Sequence, residues 1–195
     1  MKKYLIVFLL TVLTVAASGQ RLAFKGDLIE AAMWIPNLGI ETKTGGKTTL
    51  DISAAYNPFQ ISDTKKWKLW TVQPEFRYWL CEAFTGSFLG VHAGVGQFNM
   101  GGFDGRVNVS NIGGLNFTDL IDTRVQGSFL NAGFSYGYQM VLSSRWSMEG
   151  NIGVGYARYG YVQYRCLTCG ERVGSGTKNY FGPTRASIAL VYMIR

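Results

Sequence analysis

From Ser128 to Leu142 the chain alternates between two classes of side chain. Ser128, Leu130, Ala132, Phe134, Tyr136, Tyr138, Met140 and Leu142 fall on one face; Phe129, Asn131, Gly133, Ser135, Gly137, Gln139 and Val141 fall on the other. A period of two marks a strand, here with a large apolar face and a small polar one. The pattern resumes after the short turn Ser143-Ser144-Arg145-Trp146. Met148, Ile152, Val154, Tyr156 and Val162 then oppose Glu149, Asn151, Gly153, Gly155, Ala157 and Gln163. The polar face is poor in Lys and Glu, unlike the wet side of a soluble sheet. Large apolar residues around a small polar interior fit a β-barrel that sits in lipid.

The same reading along the chain predicts eight strands. The first runs from about Leu28 to Trp34, before the Pro36-Asn37 bend, and the second from Leu38 to Lys43; both are short, so Leu28 to Lys43 is also open to a single bent strand or a helical start. The third, Thr48 to Tyr56, sets Leu50, Ile52, Ala54 and Tyr56 against Asp51, Ser53 and Ala55. The fourth, Trp67 to Leu80, alternates Trp70, Val72, Phe76 and Tyr78 with Thr71, Gln73, Glu75 and Arg77. Pro74 cannot donate a ladder hydrogen bond, which predicts a bulge there. The fifth covers Ser87 to Phe98, the hairpin above supplies the sixth and seventh, and the eighth spans Thr184 to Ile194. An up-and-down antiparallel barrel with both ends on one side needs an even number of strands, and eight satisfies it.

Loop lengths agree with that topology. Thr44–Lys47, Cys81–Gly86 and Ser143–Trp146 are short, and they alternate with longer connections at Asn57–Lys66, Asn99–Gln126 and Arg165–Asn179. Short periplasmic turns and long outer loops are the asymmetry of outer-membrane barrels. Trp67, Trp70, Tyr56, Phe59, Tyr164, Tyr180 and Phe181 would gather at the outer boundary, and Tyr78, Trp79, Trp146 and Tyr192 at the inner one.

Composition refines the picture at three points. Lys2 and Lys3, the apolar run Tyr4 to Val15 and Ala17-Ser18-Gly19 read as an export signal cleaved before Gln20. The run is too short for the ~20 residues a spanning helix needs. That leaves residues 20–195 as one barrel domain. Of 19 Lys and Arg, two lie in the leader, leaving 17 against 12 Asp and Glu, a mild +5. Much of it falls in predicted loops, beside the phosphates of surface lipid, and no basic helix suggests a nucleic-acid partner. The 25 glycines and 14% aromatics suit a crowded lumen and two interfacial girdles.

Candidate chemistry is sparse. Glu30, Glu41, Asp51, Glu75, Arg77, Glu149 and Arg185 fall on predicted inward faces. Charges there must be paired or wet, so they read as a salt-bridge network that plugs the lumen. His92, the single histidine, also points inward and reads as structural; no G-x-S-x-G elbow accompanies it. Cys166 and Cys169 form a lone C-x-x-C, open to a loop-closing disulfide, two free thiols, or metal or redox chemistry. No catalytic residue, metal site or cofactor site is expected.

Several stretches carry a resemblance. They are Ile35-Pro36-Asn37-Leu38-Gly39-Ile40-Glu41, Tyr56-Asn57-Pro58-Phe59, Lys65-Lys66-Trp67-Lys68 and Gln73-Pro74-Glu75-Phe76-Arg77-Tyr78-Trp79-Leu80-Cys81-Glu82-Ala83-Phe84. Cys166-Leu167-Thr168-Cys169-Gly170 and Tyr180-Phe181-Gly182-Pro183-Thr184 complete the set. Together they resemble an uncharacterised family of small outer-membrane β-barrels of Gram-negative gut bacteria, domain of unknown function family 3575. The resemblance implies an exported barrel in the cell outer membrane, gives no catalytic residues, and points to surface fimbriae as partners in assembly or anchoring. The expected function is therefore a non-enzymatic barrel whose outer loops meet a partner. A lipid-modifying enzyme using His92, a small-solute channel and a soluble ligand-binding barrel are the alternatives.

Overall fold

The computed structural model describes residues 21–59, 66–101, 124–165 and 170–194. They form eight antiparallel strands in one closed sheet, each paired with its neighbours in sequence and the last with the first. The strands are β1 (Leu22–Asp27), β2 (Asn37–Lys43), β3 (Thr48–Asn57), β4 (Lys66–Trp79), β5 (Gly86–Gly101), β6 (Arg124–Val141), β7 (Trp146–Tyr164) and β8 (Arg172–Ile194). One short helix, α1 (Leu28–Ala32), separates β1 from β2. The export signal read over residues 1–19 and the pair Cys166 and Cys169 lie outside the described residues.

Polarity runs inside out. Phe134 is 71% exposed and Ile152 60%, whereas Gln139 and Glu149 are each 1% exposed. The same division holds on β4 and β5, where Phe76, Tyr78, Leu89 and Val91 face outward and Arg77 and His92 are buried. Strand periodicity alone produces this: once one residue of a strand is committed to a face, every second residue follows. Outward aromatics gather in rows. Trp146 pairs across the ladder with Tyr192, ring centroids 4.9 Å apart, and Tyr78 and Tyr136 flank Leu89 from either side. Toward the opposite end Tyr56 pairs with Trp70, whose Nε1 donates to Gln97 Oε1 at 3.2 Å.

Inside, small residues make room for large ones. A Cβ at Gly90 would lie 2.6 Å from Oε1 of Glu75, so glycine there leaves space for a lumen carboxylate. At Gly155 a Cβ would run into the Ala132 carbonyl oxygen, because β6 and β7 approach closely where Gly133 pairs with Gly155.

Three expectations about the strands need correction. The first strand is Leu22–Asp27, not Leu28–Trp34. Ala23 and Lys25 face inward on β1, so a continued strand would place Glu30 on the apolar outer face between Leu28 and Ala32. Asp27 ends the strand instead, its Oδ1 accepting from Ile29 N at 2.8 Å and Glu30 N at 3.2 Å as a helix N-cap. Asn37 ties the returning chain to it, donating through Nδ2 to the Asp27 carbonyl at 2.9 Å and accepting from Asp27 N at 2.6 Å. Trp34, at φ 58°, makes the left-handed turn between them.

Pro74 produces no bulge. The β3–β4 register runs through Ile52↔Pro74, and the β4–β5 ladder skips Gln73 and Pro74 but resumes in unchanged register at Glu75↔His92. Two irregularities lie between β7 and β8: Val154 pairs with Pro183 and Gly153 with Arg185, leaving Thr184 as an extra residue, and Gln163 pairs with Gly174 and Tyr164 with Arg172, leaving Val173. Finally, β8 begins at Arg172 rather than Thr184, so Gly174-Ser175-Gly176 is strand and not loop. Because β1 is short, it pairs with β8 only over Ala189–Ile194; among the described residues Arg172–Ile188 has a strand on its β7 side alone.

Candidate functional site

The lumen is filled in tiers. At the end with the short turns, Trp79, Phe84 and Phe88 form a floor with Ala23, Ala83 and Val191, all buried, so Trp79 lies in the lumen and not among the outward aromatics expected at that boundary. The Trp79 ring centroid lies 4.8 Å from that of Phe88 and 6.0 Å from that of Phe84. Trp79 Nε1 donates to Thr49 Oγ1 at 2.9 Å, so the indole is both packed and satisfied. Thr49 in turn donates to Glu41, which links the floor to the charges above it.

The charged tier centres on Arg77. Its guanidinium reaches Glu75 at 2.6 Å, Glu149 at 2.9 Å, Glu41 at 3.0 Å and Asp51 at 3.4 Å, while its Cζ stands 4.4 Å over the Phe88 ring. Lys25 bridges Glu41 and Glu149, the latter at 2.6 Å. Arg185 reaches Asp51 at 3.1 Å and Glu75 at 3.4 Å, and donates to Gln73 Oε1 at 3.1 Å. Ser135 and Asn151 add donors to Glu75. Four carboxylates thus share three cations, all of them buried or nearly so. Planar guanidinium forks suit this task because they offer several donors in fixed directions.

Six of the seven charges read from the sequence meet in this cluster: Glu41, Asp51, Glu75, Arg77, Glu149 and Arg185. Glu30 does not. It sits on α1, half-buried beside a lumen cavity of about 180 Å³ also lined by Asp51, Ser53, Gln73 and Arg185. Lys25 was missed, since β1 itself was missed. Its signal was the alternation Ala23-Phe24-Lys25, too short to stand out among the neighbouring polar residues.

His92 is buried, and its Nε2 lies 2.8 Å from the Thr184 hydroxyl. A hydroxyl beside an imidazole is half of a nucleophilic pair, but Nδ1 has no partner among the described residues to orient the ring. Glu75, opposite His92 in the ladder, is occupied by Arg77, Arg185, Ser135 and Asn151. Above this level Phe98 and Val125 are buried with Leu69, Met100, Phe129, Tyr159 and Tyr161 around them. Cys81 is an exposed free thiol at the start of the β4–β5 turn. No group of His, Cys, Asp and Glu among the described residues has the geometry of a metal site.

No curated protein and no solved structure matches the chain. The model of one protein family does, over residues 5–194, and its description is "Protein of unknown function (DUF3575)". That span takes in all eight strands, the aromatic floor and every member of the ion cluster. The chain therefore belongs to the DUF3575 family.

Proposed function

We propose that the protein is a non-enzymatic integral barrel of the cell outer membrane, which holds its place through its outer face and presents its long connections to a surface partner. One observation carries this reading: the outward residues of the sheet are large and apolar while its charges are interior. Leu130, Phe134, Tyr136, Ile152, Val154 and Ile188 form an exposed band far beyond what a soluble monomer tolerates. In a bilayer the same band is solvated by acyl chains, and a closed sheet leaves backbone groups paired around most of the ring. The aromatic rows at either end match the two interfaces.

The filled lumen favours a structural role over conduction. A solute would have to displace the Trp79–Phe88 floor, break the Arg77 cluster and part the Phe98–Val125 layer. The unoriented His92 imidazole and its burial argue against lipid hydrolysis. The strand ends bearing the long connections, at residues 57–66, 102–123 and 165–171, then face the cell exterior. The family resemblance suggests surface fimbriae as the structures they help assemble or anchor.

Membrane integration is tested by alkaline washing of isolated membranes and by gel mobility with and without boiling. The protein is expected to stay with the membrane and to migrate faster unboiled. Monodisperse protein in aqueous buffer without detergent would refute the reading. Partner contact is tested by replacing the β5–β6 and β7–β8 connections with short turns. Loss of fimbrial assembly or of a co-purifying surface protein is expected, and unchanged assembly with unchanged companions counts against it.

A further inference from the structure

The ring does not use all of β8. β7 pairs with it from Arg172 to Tyr192, but β1 covers only Ala189–Ile194. The lower part of the remaining edge has neighbours, since Glu30 of α1 shares a cavity wall with Thr184, Arg185 and Ala186. Farther up, from Arg172 to Tyr180, no described residue outside β7 makes a backbone hydrogen bond to the strand. A strand edge of this kind is a row of N–H and C=O groups spaced to receive another strand, and proteins normally guard it. Here Pro183 and the Thr184 bulge guard the lower part, and a second register shift at the top leaves Val173 as an extra residue, but between them Gly174 to Tyr180 runs in unbroken register with β7. The upper run Gly174-Ser175-Gly176-Thr177 has small side chains that let another backbone approach. The whole edge from Arg172 to Tyr180 extends roughly 30 Å, enough for an added strand.

Charge selects the occupant. Beyond the apolar band the described ends of β6, β7 and β8 and the adjoining Arg165 and Glu171 carry Arg124, Arg158, Arg165, Arg172 and Lys178 against Glu171. A second copy pairing edge to edge would bring Arg172 and Lys178 near their own counterparts, a repulsive arrangement. A phosphate-bearing lipid would meet the cations and leave the backbone edge unpaired.

We propose that the edge of β8 between Arg172 and Tyr180, unpaired on its far side among the described residues, binds an extended, acidic segment of a partner protein as a ninth strand. This deepens the partner contact proposed above and rests on it only for the side of the membrane concerned. Main-chain hydrogen bonds supply the affinity, and Arg172, on the outer face opposite Tyr164, and Lys178, on the lumen face opposite Tyr159, select the sign of charge from either face of the added strand.

The test uses the full chain in detergent micelles and a labelled short peptide alternating Asp and Val. Controls are the same peptide N-methylated at alternate residues and a Lys-Val counterpart. Fluorescence anisotropy reads binding, and amide hydrogen exchange reads the edge. The Asp-Val peptide is expected to bind at least about tenfold more tightly than either control, equivalent to about 1.4 kcal/mol. Alternate amides between Arg172 and Tyr180 should slow in exchange when it binds. The double variant Arg172→Glu, Lys178→Glu, checked by its unboiled gel mobility, should invert the preference toward the Lys-Val peptide. Equal binding of the N-methylated peptide, or no binding of the Asp-Val peptide, overturns the proposal. So do amides already protected in a peptide-free dimer, and protection produced by phosphatidylglycerol vesicles alone. Because micelles replace the bilayer, failure here is separate from failure of the membrane-extraction test.

Discussion

Replacing Arg77 with methionine tests the interior most directly. Methionine keeps most of the length and apolar bulk of the stem, so little cavity opens, but the guanidinium that touches four carboxylates is lost. Lys25 and Arg185 then face Glu41, Asp51, Glu75 and Glu149 alone. Each hydrogen bond from a charged donor is worth about 1.5–3 kcal/mol, but the four share one donor group and do not add. Breaking a buried ion pair by removing one partner typically costs about 3–5 kcal/mol, because the other charge is left uncompensated. Arg77 also stacks over Phe88, so its loss loosens the floor. The expected destabilisation is therefore about 4 kcal/mol. It is read by urea unfolding in micelles followed by tryptophan fluorescence, to which Trp79 beside Phe88 contributes. With a urea slope of about 2 kcal/mol per molar, the midpoint should fall by roughly 2 M. Adding Glu149→Gln should restore part of the loss, since one uncompensated carboxylate is removed. A single-variant loss under about 1 kcal/mol, or no recovery in the double variant, would refute the reasoning, for the cluster would then be screened by lumen water.

Other outcomes follow from the same geometry. Gly155→Val should cost about 2 kcal/mol or more in the urea assay, because even its Cβ meets the Ala132 carbonyl and backbone cannot yield as a side chain does. Asp27→Ala removes the cap of α1 and should lower stability by about 1 kcal/mol, with faster amide exchange at Ile29 and Glu30 as the local signature. Planar-bilayer recordings of the native protein should show no conductance above background; discrete single-channel steps would contradict the tiered filling. His92→Ala should leave lipid A and phospholipid profiles unaltered by mass spectrometry, and a changed acyl pattern would revive the enzymatic alternative.

How much of this was legible in the chain depended on how many turns of the alternation each strand repeats. β6 and β7 carry long, regular alternation, so their faces, and with them Gln139 and Glu149, could be assigned directly. β1 repeats it too few times, with Lys25, Gly26 and Asp27 interrupting any apolar signal. The next stretch alternates better but becomes helix, since Glu30 as a strand residue would emerge on the apolar side. The upper part of β8 reads as loop because Gly174-Ser175-Gly176 lies beyond the band where apolar residues mark the outer face. Pro74 misled for another reason: a missing donor interrupts a ladder without shifting it, and only pairing across strands reveals which happened. Of the ion cluster, position on the inward face was readable, but the convergence on Arg77 was not, since contacts between β1, β2, β4 and β7 depend on ring closure.

That convergence makes the cluster a proofreading device for assembly. Its members come from β1, β2, β3, β4, β7 and β8; Lys25 can meet Glu41 within the β1–β2 hairpin and Arg77 can meet Asp51 and Glu75 within β3–β4, but Glu149 and Arg185 reach their partners only when β7 and β8 close on the first four strands. Until the ring closes, Glu149 and Arg185 on the last hairpin lack those partners, and the β3–β4 arm holds two carboxylates against one guanidinium. A slip of one residue in any arm turns its charge outward into the greasy belt. The arrangement that satisfies every charge at once is the finished cylinder in correct register, so electrostatics rejects the misaligned alternatives that hydrophobic burial, being non-directional, would tolerate.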